Sequence, residues 1–314
     1  MPPLRAIWID PGSPDLLVLG EAPQPVPRPD EALVRVRAFS LNRGELRRAR
    51  GATARALIGW DLAGVVDKPA ADGSGPKAGQ RVVGLLADGA WSELVAVPTR
   101  SLATIPDSVS DAQAATLPVA GLTALHALRR AGAAVGRKLL ITGASGGVGE
   151  FALPLARHGG CRVIAQLRRE EQAAAARDAG AHEVVIGGDE KALATQAPYD
   201  GILESVGGAT LGAALASLAP GGTCVTFGIS GAGETTFDVT RFYRTGRATL
   251  YGFFLFRELD LEPATRGLAT LLDLVARGVL KPRISREVPW TDVGRVAKDV
   301  YERRIAAKVV ALVR

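Results

Sequence analysis

The stretch Lys138–Arg157, KLLITGASGGVGEFALPLAR, decides the fold of this chain. Leu139 to Thr142 is a short apolar run of strand character, small residues follow, and from about Gly147 the spacing becomes helical. The turn Ala144-Ser145-Gly146-Gly147-Val148-Gly149 is a G-x-G-x-x-G pattern with alanine in the first place. A side chain at Gly146 would hold the backbone away from a pyrophosphate, and one at Gly149 would push the helix off its sheet. The first N–H groups of the helix would then face the phosphates, and the helix dipole favours their charge. The plainer reading is a tight strand-to-helix turn. A strand before it and a helix after it favour a dinucleotide site.

The chain has 314 residues, which points to two domains. Hydrophobic residues make up 47%, ample for a core. No apolar run reaches the roughly 18 residues of a membrane span, and the opening MPPLRAIWID carries no apolar signal segment. Cys161 and Cys224 sit in apolar, strand-like settings and read as buried thiols in a reducing compartment. A cytoplasmic protein is expected. The net charge is +6, carried partly by scattered pairs such as Arg47-Arg48, Arg129-Arg130, Arg168-Arg169 and Arg303-Arg304. No basic block interleaved with aromatics suggests a nucleic-acid groove, although the excess would steer an anionic cofactor or substrate.

Residues 1 to about 110 read as β-rich, with strands at Leu4–Ile9, Leu33–Phe39, Trp60–Val66, Arg81–Leu85 and Trp91–Val97 separated by proline and glycine. A small barrel or sandwich follows from such spacing. Ser110 and Gln113 form a capping-box pattern opening a helix, and Pro118–Arg130 reads as the next one. Strands at 162–166, 183–186, 201–204 and 223–228 then alternate with helices at 170–179 and 209–218, which predicts a parallel sheet covered on both faces. Thr249–Phe254 is expected to close its edge. A helix at 261–277, a strand near 284–288, a helix from Thr291 and a last strand at 308–313 end the chain, and this tail can return to the first domain.

Several segments in this order resemble one family: SLNRGELRR at Ser40–Arg48, GWDLAGVV at Gly59–Val66, GAWSELVAVP at Gly89–Pro98, AATLPVAGLTAL at Ala114–Leu125, the glycine turn, and ESVGG at Glu204–Gly208. Together they resemble the medium-chain dehydrogenase/reductases of the zinc-free quinone oxidoreductase branch. The resemblance implies an α/β chain in which a Rossmann doubly wound parallel sheet (116–255) is inserted into a GroES-like β-rich catalytic domain (1–115 and 256–314). It also implies an active site in the cleft.

Zinc relatives place a cysteine where this chain has Ser40-Leu41-Asn42 and a histidine where it has Trp60. The histidines, His126, His158 and His182, lie outside metal-ligand spacing of one another and read as packing or capping residues. No metal is expected, and with it no Lewis acid for alcohol oxidation.

The acid that holds the ribose 2′-hydroxyl in NAD-binding folds stands about 20 residues beyond the glycines. Counting from Gly146 reaches Gln166, followed by Leu167-Arg168-Arg169. No carboxylate there would repel a 2′-phosphate, and the arginines can grip one. They can also be solvated residues, but their charge is unfavourable at a helix start. NADPH is therefore the expected cofactor, and the resemblance adds Arg303 as a further phosphate contact.

Without metal or an obvious general base, the simplest chemistry is hydride transfer to an acceptor that is already electrophilic, a quinone or an α,β-unsaturated carbonyl. A neutral donor would stabilise the oxyanion that forms, with the proton coming from solvent. The resemblance makes Asn42 that donor and places Thr123 near the nicotinamide. It sets Val206, Gly207 and Ile229 beside the cofactor and leaves Asp61 a structural role. Three departures from the family pattern bear on the pocket: the short alanine-rich stretch Arg50–Ile58, Ala307-Lys308 in place of Gly-Lys, and the indole of Trp60. The cluster Arg47, Arg48 and Arg50 would favour an acidic aromatic substrate or simply be solvated. An enoyl-thioester reductase of polyketide type is the second enzyme reading, and a catalytically silent NADPH-binding sensor or RNA-associated protein is the third. The apolar run Leu250–Phe256, placed at a sheet edge, predicts a homodimer joined edge to edge.

Overall fold

A computed structural model describes residues 3–313 of the chain. They divide into two compact units, one running through Leu122 and resuming at Leu259, the other comprising Thr123–Glu258.

The second unit is a six-stranded sheet in the order Glu183–Ile186, Arg162–Leu167, Lys138–Ile141, Tyr199–Glu204, Leu218–Thr226, Thr249–Gly252, with every pairing parallel. Central strands such as Arg162–Leu167 are buried from the second residue onward, as a sheet covered on both faces requires. Leu140, Ile164, Ile202 and Cys224 form part of its core, with Leu211 and Leu215 of the helix Gly208–Ala216. The strand order reverses between Lys138–Ile141 and Tyr199–Glu204. The segments leaving their carboxyl ends, from Thr142 and from Ser205, therefore flank the topological switch point, where doubly wound sheets take their ligands.

The first unit carries a larger sheet in the order Ile284–Pro289, Lys308–Leu312, Glu31–Ser40, Asp61–Lys68, Arg81–Leu85, Leu102–Thr104, with Leu94–Pro98 also paired to Glu31–Ser40. A three-stranded sheet joins Leu17–Ala22, Leu4–Ile9 and Ala56–Leu57. Phe39 and Trp91 stack in the core with ring centroids 4.8 Å apart. The C-terminal strand lies antiparallel to Glu31–Ser40, with Val310 opposite Ser40. That register delivers Lys308 to the end of the strand that leads into Leu41 and Asn42.

Several elements differ from the expectation. The helix after the glycine turn begins at Gly149 rather than Gly147. The stretch read as one helix from Pro118 starts as a π-helical turn, Leu117–Gly121, and becomes α-helical only over Leu122–Arg130. The apolar run 250–256 is only partly strand. Thr249–Gly252 forms the edge, and Leu255–Leu261 is a helix, separated by Pro263 from the next, Ala264–Ala276. The strand expected at Trp60–Val66 runs Asp61–Lys68, and the one expected at Trp91–Val97 runs Leu94–Pro98. The Ser110 cap is as read, its side chain accepting from the Gln113 N–H at 3.1 Å. No helix among the described residues is long and apolar enough to cross a membrane.

Candidate functional site

The glycine turn is shaped by contacts that only small residues permit. A Cβ on Gly149 would stand 2.2 Å from the Ala144 carbonyl oxygen and 2.5 Å from its carbon. A Cβ on Gly146 would meet only the Gly143 oxygen, at 3.1 Å, and otherwise open space. The backbone N–H groups of Ser145, Gly147 and Val148 have no acceptor among the described residues. Three uncommitted donors before a helix N-terminus suit an anion. These residues fit the pyrophosphate of a dinucleotide.

Gln166 lies at the end of the neighbouring strand, buried, with its amide fully engaged. Its Oε1 accepts from the Gly143 N–H at 2.9 Å, and its Nε2 donates to the carbonyls of Leu167 and Gly187 at 3.1 and 3.0 Å. The side chain is a strut beneath the turn. Arg168 and Arg169 follow in an exposed bend, and neither side chain has an ion pair or hydrogen bond among the described residues.

Across the switch point, Glu204 organises the second loop, a role that the segment ESVGG does not announce. Its buried carboxylate accepts from the N–H groups of Val206 (2.7 Å) and Gly207 (3.0 Å) and from the hydroxyls of Thr142 (3.2 Å) and Thr226 (3.4 Å). Burial raises its pKa above the ordinary value, against these hydrogen bonds. Gly207 has a φ of +77°, and a Cβ there would stand 2.2 Å from the Ala232 oxygen. Gly231 N–H donates to the Val206 carbonyl at 2.7 Å, so the loop carrying exposed Ile229 packs on the Val206-Gly207 turn. Ala144, Ser145, Gly146, Gly147, Val148, Gly149, Gln166, Arg168, Arg169, Val206, Gly207 and Ile229 thus lie at or beyond the carboxyl ends of the parallel strands. Arg303 belongs to the other unit, in a turn after the helix Val293–Tyr301, with a φ of +60°.

In the first unit, Asn42 caps the helix Arg43–Arg50 within a buried polar cluster. Asn42 Nδ2 donates to Asp61 Oδ2 at 2.7 Å, and Lys308 Nζ donates to Asn42 Oδ1 at 2.7 Å and to the Leu41 carbonyl at 3.3 Å. Asp61 also accepts from Ser40 Oγ at 2.5 Å and from the Val119 N–H at 2.9 Å, and lies 3.7 Å from Lys308 Nζ. The N–H of Val119, inside the π-helical turn, is satisfied by this carboxylate, and π turns recur at functional sites. Glu45 accepts from the N–H groups of Asn42 (2.7 Å) and Trp60 (2.6 Å). Burial pushes its carboxyl well above the usual range, and the charge of Asp61 adds to the effect. Burial lowers the Lys308 ammonium, against the pull of Asp61 and Glu45. Asn42 is half-buried, and the second hydrogen of its Nδ2 has no acceptor among the described residues.

Thr123 is buried in the first turn of Leu122–Arg130, and its hydroxyl has no hydrogen-bond partner among the described residues. Trp60 lies over Gly44, whose Cβ would stand 2.7 Å from the indole. Within the stretch Arg50–Ile58, Ala56–Leu57 pairs with the first strand, and Arg55 covers the Trp8 ring at 4.6 Å. In the basic cluster, Arg48 pairs with Asp88 and Arg50 stacks over Tyr301 at 4.2 Å. Among the described residues no group of three or more His, Cys, Asp or Glu side chains is placed to hold a metal ion.

Residues 28–107 match the alcohol dehydrogenase GroES-like domain, and residues 147–272 match the zinc-binding dehydrogenase domain. The chain is 35% identical over 300 residues to the spectinabilin polyketide synthase system protein NorB of Streptomyces orinoci, covering 90% of this chain but only 13% of that relative. It is 29% identical over 267 residues to the putative quinone oxidoreductase YhfP of Bacillus subtilis, covering 81% of this chain and 80% of that protein. Among solved structures, mycobacterial Rv1454c complexed with NADPH superposes with a TM-score of 0.87 at 28% identity, covering 99% of this chain and 100% of that one.

Proposed function

The chain belongs to the medium-chain dehydrogenase/reductase family, on its quinone oxidoreductase-like side, and we propose that it is an NADPH-dependent, zinc-independent reductase of quinones or α,β-unsaturated carbonyls. One juxtaposition carries this reading. A turn with three uncommitted N–H groups is flanked, at the end of the next strand, by two uncommitted arginines and no carboxylate. The turn suits the pyrophosphate, and the arginines suit the 2′-phosphate that distinguishes NADPH from NADH. The NADPH complex of the structural neighbour supports the same assignment.

Bound NADPH would supply a hydride equivalent to the acceptor. The chain's part is to hold the cofactor and to stabilise the oxyanion left on the acceptor oxygen, which then takes a proton from solvent. Asn42 offers its uncommitted N–H for that purpose, and a neutral donor aimed at developing charge contributes on the order of ten- to a thousand-fold in rate. Thr123, with an uncommitted hydroxyl, orients the nicotinamide end. Cys or His at positions 42 and 60 would be needed for a zinc site of the alcohol dehydrogenase kind, and this chain has Asn42 and Trp60 there. The exposed strand Thr249–Gly252 is a free sheet edge suited to pairing with a second copy of the chain.

A second reading, reduction of an enoyl thioester, is favoured by the similarity to NorB. Steady-state oxidation of NADPH and NADH with a simple quinone, a simple enone and a short enoyl thioester decides between them. Turnover is expected with NADPH and survives chelator. Arg168→Ala should raise the KM for NADPH roughly ten- to a hundred-fold while leaving NADH turnover unchanged. A wild-type preference for NADH, or loss of activity with chelator, would sink this reading.

A further inference from the structure

We infer that Lys308, with Asp61 opposite it, is a positioning residue for Asn42, fixing its side-chain amide so that an N–H is presented outward. The inference rests on the reading of Asn42 as the donor to the oxyanion.

The orientation follows from donor and acceptor inventory. An ammonium group has only donors, and a carboxylate only acceptors. Lys308 Nζ stands 2.7 Å from one terminal atom of the Asn42 amide, and Asp61 Oδ2 stands 2.7 Å from the other. Only oxygen toward Lys308 and nitrogen toward Asp61 satisfies both. The flipped amide would set N–H against N–H and oxygen against oxygen, losing two charge-assisted hydrogen bonds at once. An asparagine without these neighbours would have a second orientation, in which a carbonyl oxygen meets the developing negative charge.

The two pinning groups are themselves immobilised. Asp61 is fully buried and cannot rotate, because its other oxygen accepts from the Val119 N–H at 2.9 Å. Lys308 is 3% exposed and is delivered by the register of the C-terminal strand on Glu31–Ser40. Its third contact is the Leu41 carbonyl at 3.3 Å, so every polar contact of its Nζ among the described residues lies in this cluster. The residue before it adds an independent sign. Ala307 has a φ of +63°, a left-handed backbone that a residue with a Cβ adopts only when its surroundings impose it. The chain accepts this conformation where the lysine turns inward.

The test compares kcat and KM of the full chain, with NADPH and the acceptor it turns over best, for wild type, Asn42→Ala, Lys308→Met and the double variant. Lys308→Met should lower kcat roughly ten-fold, a fraction of the cost of losing the donor itself. Both KM values should stay within about two-fold. The double variant should be no slower than Asn42→Ala, because Lys308 acts through Asn42. Losses that multiply in the double variant, or an unchanged kcat in Lys308→Met while Asn42→Ala is slow, would overturn the inference. An unchanged kcat in Asn42→Ala would instead remove the reading on which it stands. Lys308→Met leaves buried Asp61, beside Glu45, without its cation and can fail to fold. The charge-neutral pair Asp61→Asn/Lys308→Met avoids this and should show the same loss, again masked by Asn42→Ala. A kcat preserved in that pair would overturn the inference equally.

Discussion

Gly149 and Gly146 stand three residues apart in one turn, and replacing each by alanine should give two different phenotypes. At Gly149 the new methyl carbon would lie 2.2 Å from the Ala144 oxygen, 2.5 Å from its carbonyl carbon and 2.7 Å from its Cα. All three are backbone atoms, so relief requires the helix Gly149–His158 to move away from the turn. Overpacking of this kind costs typically about 1–3 kcal/mol, and three backbone contacts place Gly149→Ala at the upper end. At Gly146 the methyl would meet a single carbonyl oxygen at 3.1 Å, which a shift of a few tenths of an ångström relieves. Gly146→Ala should therefore change stability by less than about 0.5 kcal/mol, as a tolerated site does. Its methyl would instead occupy the approach of the pyrophosphate, so NADPH affinity should fall at least roughly ten-fold, or about 1.4 kcal/mol. Urea unfolding of the apoprotein gives the stabilities, and quenching of tryptophan fluorescence by NADPH gives the affinities. Equal stability losses in the two variants, or a Gly146→Ala protein that binds NADPH like wild type, would refute the reasoning.

Three more outcomes can be checked. Ala307→Gly removes a left-handed strain of about 1–2 kcal/mol while adding about 0.5–1 kcal/mol of unfolded-state entropy. A net stabilisation of roughly 0.5–1 kcal/mol should appear as a higher urea midpoint at constant slope. Burial holds the folded pKa of Glu204 above its unfolded value, so its contribution to stability is fully present below the unfolded value and is lost as pH rises through the folded one. Glutamine does not titrate, so Glu204→Gln should gain on wild type as pH rises above the ordinary glutamate range, and a flat difference would contradict the assignment. Light scattering at micromolar concentration should give about twice the 32.7 kDa of one chain, and a proline at Leu250, which removes an edge donor, should shift that mass toward the monomer.

The parts of this structure legible in the sequence are those with local physics. Strand, glycine turn and helix follow one another within twenty residues, and the Ser110 box is satisfied by its own neighbour Gln113. What could not be read depends on distant partners. Lys308 meets Asn42 across 266 positions, and the Gly-Lys pattern that marks the lysine says nothing of the side chain it meets. The π-helical turn at Leu117–Gly121 has ordinary helical spacing; it is distinguished by the Asp61 carboxylate that takes the Val119 N–H. The run 250–256 reads as strand because it is apolar throughout, yet Tyr251 binds Glu258 at 2.5 Å and the chain turns helical at Leu255. Counting from the glycines reaches Gln166, but its amide turns toward the backbone of the glycine turn, which composition alone does not indicate.

Glu204 gives the glycine turn a second owner. Its carboxylate ties Thr142, at the mouth of the glycine turn, to the Val206-Gly207 turn and to Thr226 on the next strand. The glycine segment is therefore not a portable cassette. Anyone grafting a foreign cofactor loop between Ile141 and Gly149 would inherit a buried acid tuned to a threonine. A graft lacking a hydroxyl at position 142 would remove one donor to that carboxylate and leave the Ser205 N–H without its acceptor, so transplants should be exchanged as the pair of crossing segments rather than as the fingerprint alone.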